Sequence, residues 1–130
     1  MRSRDDLIAA ARRARKNAVA PYSKFQVGAA LRAKSRRVYK GCNVENATFG
    51  LTICAERVAV FKALSEGERD FVTIAIVADT GKLTPPCGAC RQILWEFCGN
   101  IEIYLANLAG KVEHHWLSDL FPKPFDAKFL

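Results

Sequence analysis

The sequence predicts an α/β fold in which a mixed five-stranded sheet carries helices on both faces. Helix-like and strand-like stretches follow one another in the order α, β, β, α, β, α, β, β. Phe71–Ala78 (FVTIAIVA) is continuously apolar, as expected of a strand buried on both faces. The chain has 130 residues, half of them hydrophobic, which suits one domain spanning residues 1–130.

The first half of the chain is predicted to form a helix, a hairpin and a second helix. Asp5–Ala18 opens with acidic residues and carries a modest apolar stripe, which favours a helix. Phe25–Ala33 and Arg37–Val44 are rich in β-favouring residues and are joined by a short polar segment, which is typical of a hairpin. A loop then leads into a helix predicted at Cys54–Ser65.

The second half is predicted to add three strands and two helical segments. Phe71–Ala78 is the third strand, and Cys87–Phe97, which ends near Gly99, is the third helix. Ile101–Ala106 and Lys111–Trp116 are strands on either side of a polar turn. Leu117–Leu120 is expected to form a last helical turn.

The formal charge of +7 is unevenly distributed along the chain. Residues 1–40 hold 12 Lys or Arg against 2 acids, whereas residues 41–130 hold 8 against 11. A solvated helix face and an exposed hairpin turn explain this basic third, so nucleic acid is not the expected partner. No stretch approaches the roughly 18 apolar residues of a membrane helix, and a secretory signal is not apparent. We therefore expect a cytoplasmic protein with no membrane partner.

Cysteine usage predicts a metal site. Five cysteines, an odd number, in a chain without an export signal favour metal binding or catalysis over disulfides. Cys87 and Cys90 stand three residues apart at the start of the third predicted helix, and Cys54 begins the second. Helix N-termini favour thiolates, and three thiolates brought together make a Zn²⁺ site.

The fourth position of the metal decides between a structural and a catalytic site, since catalytic zinc keeps it open for water. Cys98 follows Cys87 by about 16 Å of helix at 1.5 Å per residue, so it cannot close the site. Cys42, in a predicted strand, remains the alternative fourth ligand. An open site is favoured.

Glu56 and Arg57 lie next to the predicted ligand Cys54, and each has a predicted role at the metal site. Glu56 follows a metal ligand by two residues, so it can reach a metal-activated water as general acid and base without binding the metal. Alone, it would read as a surface residue of an amphipathic helix. Arg57 can donate hydrogen bonds to the sulfurs and offset the negative charge of three thiolates. Arg91 could do the same or be solvated.

Four stretches carry a family resemblance. "CAER" (54–57) and "PCGACRQ" (86–92) form the cysteine-only version of the zinc deaminase signature. With "APYSKFQVGAAL" (20–31) and "GCNVENATFG" (41–50), the chain resembles the small homotetrameric cytidine deaminases. The resemblance implies a three-layer α/β/α sandwich, one Zn²⁺ per subunit, and hydrolytic deamination of cytidine and 2′-deoxycytidine in pyrimidine salvage.

The resemblance also assigns the substrate-binding residues. It implies that Asn43 and Glu45 hydrogen-bond the ribose 3′-hydroxyl, that Phe25 packs against the nucleoside, and that the N–H of Ala55 holds the pyrimidine 2-oxo group. Phe125 would reach from a neighbouring subunit, so that active sites are shared within the oligomer. From the residues alone, Asn43 and Glu45 share a face and could grip a diol, although a polar loop explains them too.

Two residues depart from the family pattern. Phe49 stands where many relatives have tyrosine, which puts in doubt a polar contact across the subunit boundary. Pro85 stands where relatives often have Ser or Thr. We expect little effect there, because a backbone carbonyl would meet the leaving amine.

Two other functions stay open at this point. One is deamination of a modified or polymeric cytosine, such as an aminoacylnucleoside antibiotic or a base in single-stranded nucleic acid. The other is a non-catalytic zinc module that binds nucleic acid. That module predicts a fourth protein ligand, Cys42, and no ammonia release.

Overall fold

A computed structural model describes residues 3–130 of the protein and confirms the predicted order of elements. The helices and strands are α1 (Ser3–Arg15), β1 (Val27–Ala33), β2 (Val38–Cys42), α2 (Ala55–Ser65), β3 (Phe71–Ala78), α3 (Gly88–Cys98), β4 (Glu102–Ala106), β5 (Val112–Trp116) and α4 (Leu117–Leu120). Short 3₁₀ turns occur at Phe49–Leu51 and Ala127–Phe129. Within residues 3–130, no helix is both long and apolar enough to cross a membrane.

The five strands form one mixed sheet in the order β2-β1-β3-β4-β5. β1 and β2 form the predicted antiparallel hairpin, with Gly28 opposite Cys42 and Arg32 opposite Val38. β3 and β4 are parallel and are connected through α3, whereas the other neighbours are antiparallel. The predicted mixed five-stranded sheet is therefore confirmed.

Helices cover both faces of the sheet, so the three-layer arrangement is also confirmed. α1 packs on one face, where the buried layer consists of Leu7, Ala10, Ala11, Ala30, Ala75, Val77 and Ala106. α2 and α3 pack on the other face, where the buried layer includes Ala59, Val60, Leu94, Ile74, Ile76 and Ile103. Alternate residues of β3 enter opposite layers, which explains its continuous apolar sequence.

Two glycines let helices approach the sheet closely. A Cβ atom on Gly28 would lie 2.0 Å from the carbonyl oxygen of Ala11 in α1. A Cβ atom on Gly41 would lie 2.5 Å from the carbonyl oxygen of Ala55, the first residue of α2. Gly41 therefore fixes the start of α2 against β2, directly beside Cys54.

The main differences from the sequence prediction lie at element ends. α1 ends at Arg15, three residues early, because residues 16–18 continue in tighter turns with bonds such as Lys16 N–H to the Arg13 carbonyl. β1 begins at Val27, since the side chain of Asn43 occupies the backbone groups of Phe25 and Val27.

Candidate active site

The three predicted ligand sulfurs converge between the starts of α2 and α3. Cys54 and Cys87 occupy the N-cap positions of these helices, and Cys90 lies in the first turn of α3. The Sγ atom of Cys87 lies 3.7 Å from that of Cys54 and 3.4 Å from that of Cys90, and all three sulfurs lie within 4.8 Å of one another. Sulfurs at 2.3 Å from a tetrahedral zinc ion would be about 3.8 Å apart. The spacing fits one zinc ion.

The surroundings of the sulfurs favour a thiolate at Cys54. The pKa of Cys54 is lowered to about 5, chiefly by a hydrogen bond with the Cys90 thiol and further by Arg57. Arg57 donates from Nη2 to Cys54 Sγ over 3.6 Å and to the Thr52 carbonyl oxygen over 3.4 Å. The same sharing of a proton raises the pKa of Cys90.

The two other cysteines lie outside this cluster. Cys98, at the end of α3, packs against the core, and burial raises its pKa to about 12. Cys42 lies in β2 and lines a separate cavity of 310 Å³ together with Arg13, Lys40 and Lys62. Within residues 3–130 the grouped donors are thus three cysteines, and Cys42 is not a fourth member.

Glu56 lies in the same cavity as Cys54 and Cys87. Its side chain is in the first turn of α2, and the residue is only 5% exposed. Burial raises the pKa of Glu56 to about 7, because removal from water disfavours the charged carboxylate, and the Cys54 thiolate adds to the effect. A carboxyl group of this kind can both accept and release a proton near neutral pH.

The cavity has a volume of about 340 Å³, within the range of small-molecule sites. It brings together most of the side chains that the sequence singled out. Its walls include Phe25, Asn43, Glu45, Cys54, Ala55, Glu56, Pro85 and Cys87. The cavity is also lined by residues that the sequence did not indicate as functional, among them Ser23, Thr52, Ile76 and Thr84. Ser23 lies within a stretch already singled out, whereas the other three carry no local signal.

Asn43 supports the loop that carries Phe25. Its Oδ1 accepts a hydrogen bond from the Val27 N–H over 2.9 Å, and its Nδ2 donates to the Phe25 carbonyl oxygen over 2.7 Å. Asn43 is 8% exposed, so these bonds satisfy a nearly buried amide. One amide hydrogen of Asn43 remains available to a ligand in the cavity.

Glu45 supports the same loop from its other end. Its Oε1 accepts from the N–H groups of Tyr22 (3.0 Å) and Ser23 (3.1 Å), and its Oε2 accepts from the Ser23 hydroxyl. These bonds, the Ser23 hydroxyl first, lower the pKa of Glu45. Because an ionised carboxylate has about four acceptor sites, Glu45 can accept one more donor from a ligand.

Two residues from the second half are placed away from the cavity wall. Phe125 is 56% exposed and stacks on Phe129, with ring centroids 5.5 Å apart. Arg91 is neither bound to the sulfurs nor merely solvated, so both expectations for it were wrong. It donates from Nε to the Pro86 carbonyl oxygen over 2.7 Å and from Nη1 to the Leu120 carbonyl oxygen over 2.5 Å.

Comparison with known proteins agrees with this geometry. The family model described as the cytidine and deoxycytidylate deaminase zinc-binding region matches residues 1–106. The chain belongs to the cytidine and deoxycytidylate deaminase family. The three convergent cysteines fit the zinc ion of that family, one per subunit.

Individual members of the cytidine and deoxycytidylate deaminase family align over nearly the whole chain. A cytidine deaminase of Halalkalibacterium halodurans is 53% identical over 96% of both chains. One from Sporosarcina psychrophila is 49% identical over 97% of this chain and 93% of its own. The crystal structure of cytidine deaminase from Burkholderia pseudomallei superposes with a TM-score of 0.92 at 47% identity, covering 96% of this chain and 100% of that one.

Proposed function

We propose that the protein catalyses hydrolytic deamination of cytidine and 2′-deoxycytidine to uridine and 2′-deoxyuridine, with release of ammonia, as a step of pyrimidine salvage. The observation that carries the proposal is that a buried carboxyl group, Glu56, shares one cavity of about 340 Å³ with Cys54 and Cys87, whose sulfurs form a cluster with that of Cys90. The names of its close relatives support the choice of substrate.

Glu56 would carry the protons of the reaction. Zinc held by Cys54, Cys87 and Cys90 would act as a Lewis acid that makes water more acidic. As water oxygen bonds to ring carbon 4, Glu56 would accept a proton and deliver it to ring nitrogen 3. It would then take the remaining proton from the new hydroxyl on carbon 4 and pass it to the exocyclic nitrogen. The bond from carbon 4 to that nitrogen would break to release ammonia, and carbon 4 would become the carbonyl carbon of the uridine.

Four wall residues would orient the nucleoside. Ala55 is the first residue of α2, so its N–H has no partner within the helix and can donate to the pyrimidine 2-oxo group. Asn43 and Glu45 would hydrogen-bond the ribose 3′-hydroxyl, and Phe25 would pack against the nucleoside. Because cytidine and 2′-deoxycytidine both carry the 3′-hydroxyl, these hydrogen bonds can form with either substrate.

We further propose a homotetramer in which Phe125 enters the cavity of a neighbouring subunit. Supporting this, Phe125 is 56% exposed and lies outside the cavity lining of its own chain. Ser23, Glu45 and Thr52 also line a second cavity, and Tyr22 and Phe49 in its wall are 54% and 72% exposed. An apolar patch of this kind is typical of an interface. Phe49 packs its ring edge-on against Tyr22 of the same chain, with centroids 5.7 Å apart.

A reducing compartment such as the cytoplasm is the expected location. Three thiols within 4.8 Å of one another would be prone to oxidise elsewhere, and oxidation would remove the metal ligands.

Ammonia release tests the proposed function directly. We expect turnover of free cytidine and 2′-deoxycytidine that depends little on ionic strength, and no turnover of a cytosine-bearing oligonucleotide. Faster turnover of the oligonucleotide, with a steep loss at high salt, would instead favour a polymeric substrate bound by the basic N-terminal third. An absence of ammonia from all three, in protein that retains zinc, would contradict the proposal.

A further inference from the structure

The C-terminal segment, residues 121–130, is held against α3 by side chains of that helix. Gln92 donates from Nε2 to the carbonyl oxygen of Phe125 over 2.8 Å. Trp95, almost one turn later, donates from its indole Nε1 to Oδ2 of Asp126 over 3.2 Å. Two adjacent residues of the segment are therefore fixed to adjacent turns of one helix.

Asp126 in turn organises the end of the segment. Its Oδ1 accepts from the N–H of Lys128 over 2.9 Å, and its carbonyl oxygen accepts from the N–H of Phe129 over 3.1 Å. The resulting 3₁₀ turn presents Phe129 as a stacking partner for Phe125. The segment is thus ordered on both sides of Phe125.

The helix that holds the segment also holds two metal ligands. Cys87 caps α3 and Cys90 lies in its first turn. Arg91 extends the connection, since it ties the Pro86 carbonyl oxygen, beside Cys87, to the Leu120 carbonyl oxygen, where the C-terminal segment begins. The position of the segment is consequently set relative to the sulfur cluster of the same chain.

We propose that Gln92 is a positioning residue that fixes the backbone at Phe125 and thereby sets where the Phe125 ring is presented. The bond from Gln92 goes to the backbone carbonyl of Phe125, so it constrains the residue without occupying its ring. The inference rests on the proposed function, in which Phe125 completes a neighbouring cavity. Gln92 would touch no reacting atom and would act through Phe125.

Three variants of the 130-residue chain loaded with zinc test this role. Gln92→Glu keeps the shape but replaces the donor with an acceptor, Gln92→Lys keeps a donor, and Lys111→Ala is a control for charge at an exposed turn. Hydrogen exchange is measured on residues 121–130, and steady-state kinetics on cytidine.

For Gln92→Glu we expect faster exchange at the amides of residues 128–130 and a KM raised about tenfold, as for one lost hydrogen bond. The kcat and zinc content of Gln92→Glu should change little. Gln92→Lys and Lys111→Ala should keep exchange rates and a KM near those of the wild type.

A double-mutant cycle with Phe125→Ala separates positioning from general destabilisation. Gln92→Glu should raise KM no further when Phe125 is already truncated. A full additional KM effect in that background, or unchanged exchange and KM in Gln92→Glu alone, would overturn the proposal. If the wild-type enzyme fails to turn over cytidine, the proposed function fails, and the exchange rates still decide whether Gln92 holds the segment.

Discussion

Arg57 lies one turn of α2 after Cys54 and donates from Nη2 to the Sγ atom of that cysteine over 3.6 Å. Within residues 3–130, the Nε atom of Arg57 is buried without a hydrogen-bond partner. The half-buried side chain therefore brings a positive charge directly to the sulfur cluster. Three thiolates around one Zn²⁺ carry a net charge of −1, which this guanidinium offsets.

Arg57→Ala should weaken zinc binding. Removal of the charge leaves the thiolates less stabilised, and loss of such an outer partner typically costs about 10- to 100-fold in metal affinity or activity. Competition with a chromogenic chelator measures the affinity. Arg57→Lys keeps the charge but loses the planar arrangement of several N–H donors. Its zinc affinity should therefore lie between that of Arg57→Ala and that of the wild type. Equal affinity in all three proteins would exclude the assigned role.

Glu45→Gln should lower thermal stability in a pH-dependent way. Hydrogen bonds, first from the Ser23 hydroxyl, hold the folded-state pKa of Glu45 below its ordinary value of 4.5. The carboxylate therefore stabilises the fold fully above pH 4.5, and this contribution is lost as pH falls through the lowered pKa. The difference in melting temperature between wild type and Glu45→Gln should become smaller below pH 4.5. A difference in melting temperature that does not vary with pH would argue against this role of the carboxylate.

Gly41→Ala should reduce both stability and zinc affinity. Its Cβ atom would lie 2.5 Å from the Ala55 carbonyl oxygen, so α2 must shift and move Cys54 with it. Overpacking typically costs about 1–3 kcal/mol or more, which urea unfolding measures. Gly28→Ala, which collides with α1 on the opposite face, should lose stability but retain zinc affinity. Gly81→Ala, with nothing within 4 Å, should change neither property. Normal zinc affinity in Gly41→Ala would contradict the link between this packing and the site.

The elements of the fold were predictable because their signals are local. β3 and α4 have the predicted bounds, since an apolar run and a short helical turn are recognised from their own residues. β2 ends at Cys42, two residues before the predicted end, although Val44 still forms isolated bridges with Val19 and Ile53. Those pairings lie 25 and 9 residues from Val44 along the chain, beyond what a local pattern registers.

The candidate site was predictable where chemistry demands particular side chains. Cys87 and Cys90 stand three residues apart at one helix start and Cys54 begins another, positions that favour thiolates, so a shared metal ion could be predicted from the sequence. The contacts of Arg91 could not, because both partners are backbone carbonyls and one, that of Leu120, lies 29 residues away. Likewise, the loop-supporting bonds of Asn43 and Glu45 go largely to backbone groups, which leave no mark on the side-chain pattern.

Glu56→Gln, analysed for zinc content and for ammonia release from cytidine in the same preparation, shows whether Glu56 carries the protons of the reaction. The substitution removes the proton acceptor while it preserves the size and burial of the side chain. We predict one zinc ion per chain in both proteins, with turnover in the variant reduced by at least about 10²- to 10⁴-fold, as for loss of a general acid and base. A variant that retains zinc and deaminates cytidine at a rate close to wild type would show that Glu56 is not the general acid and base.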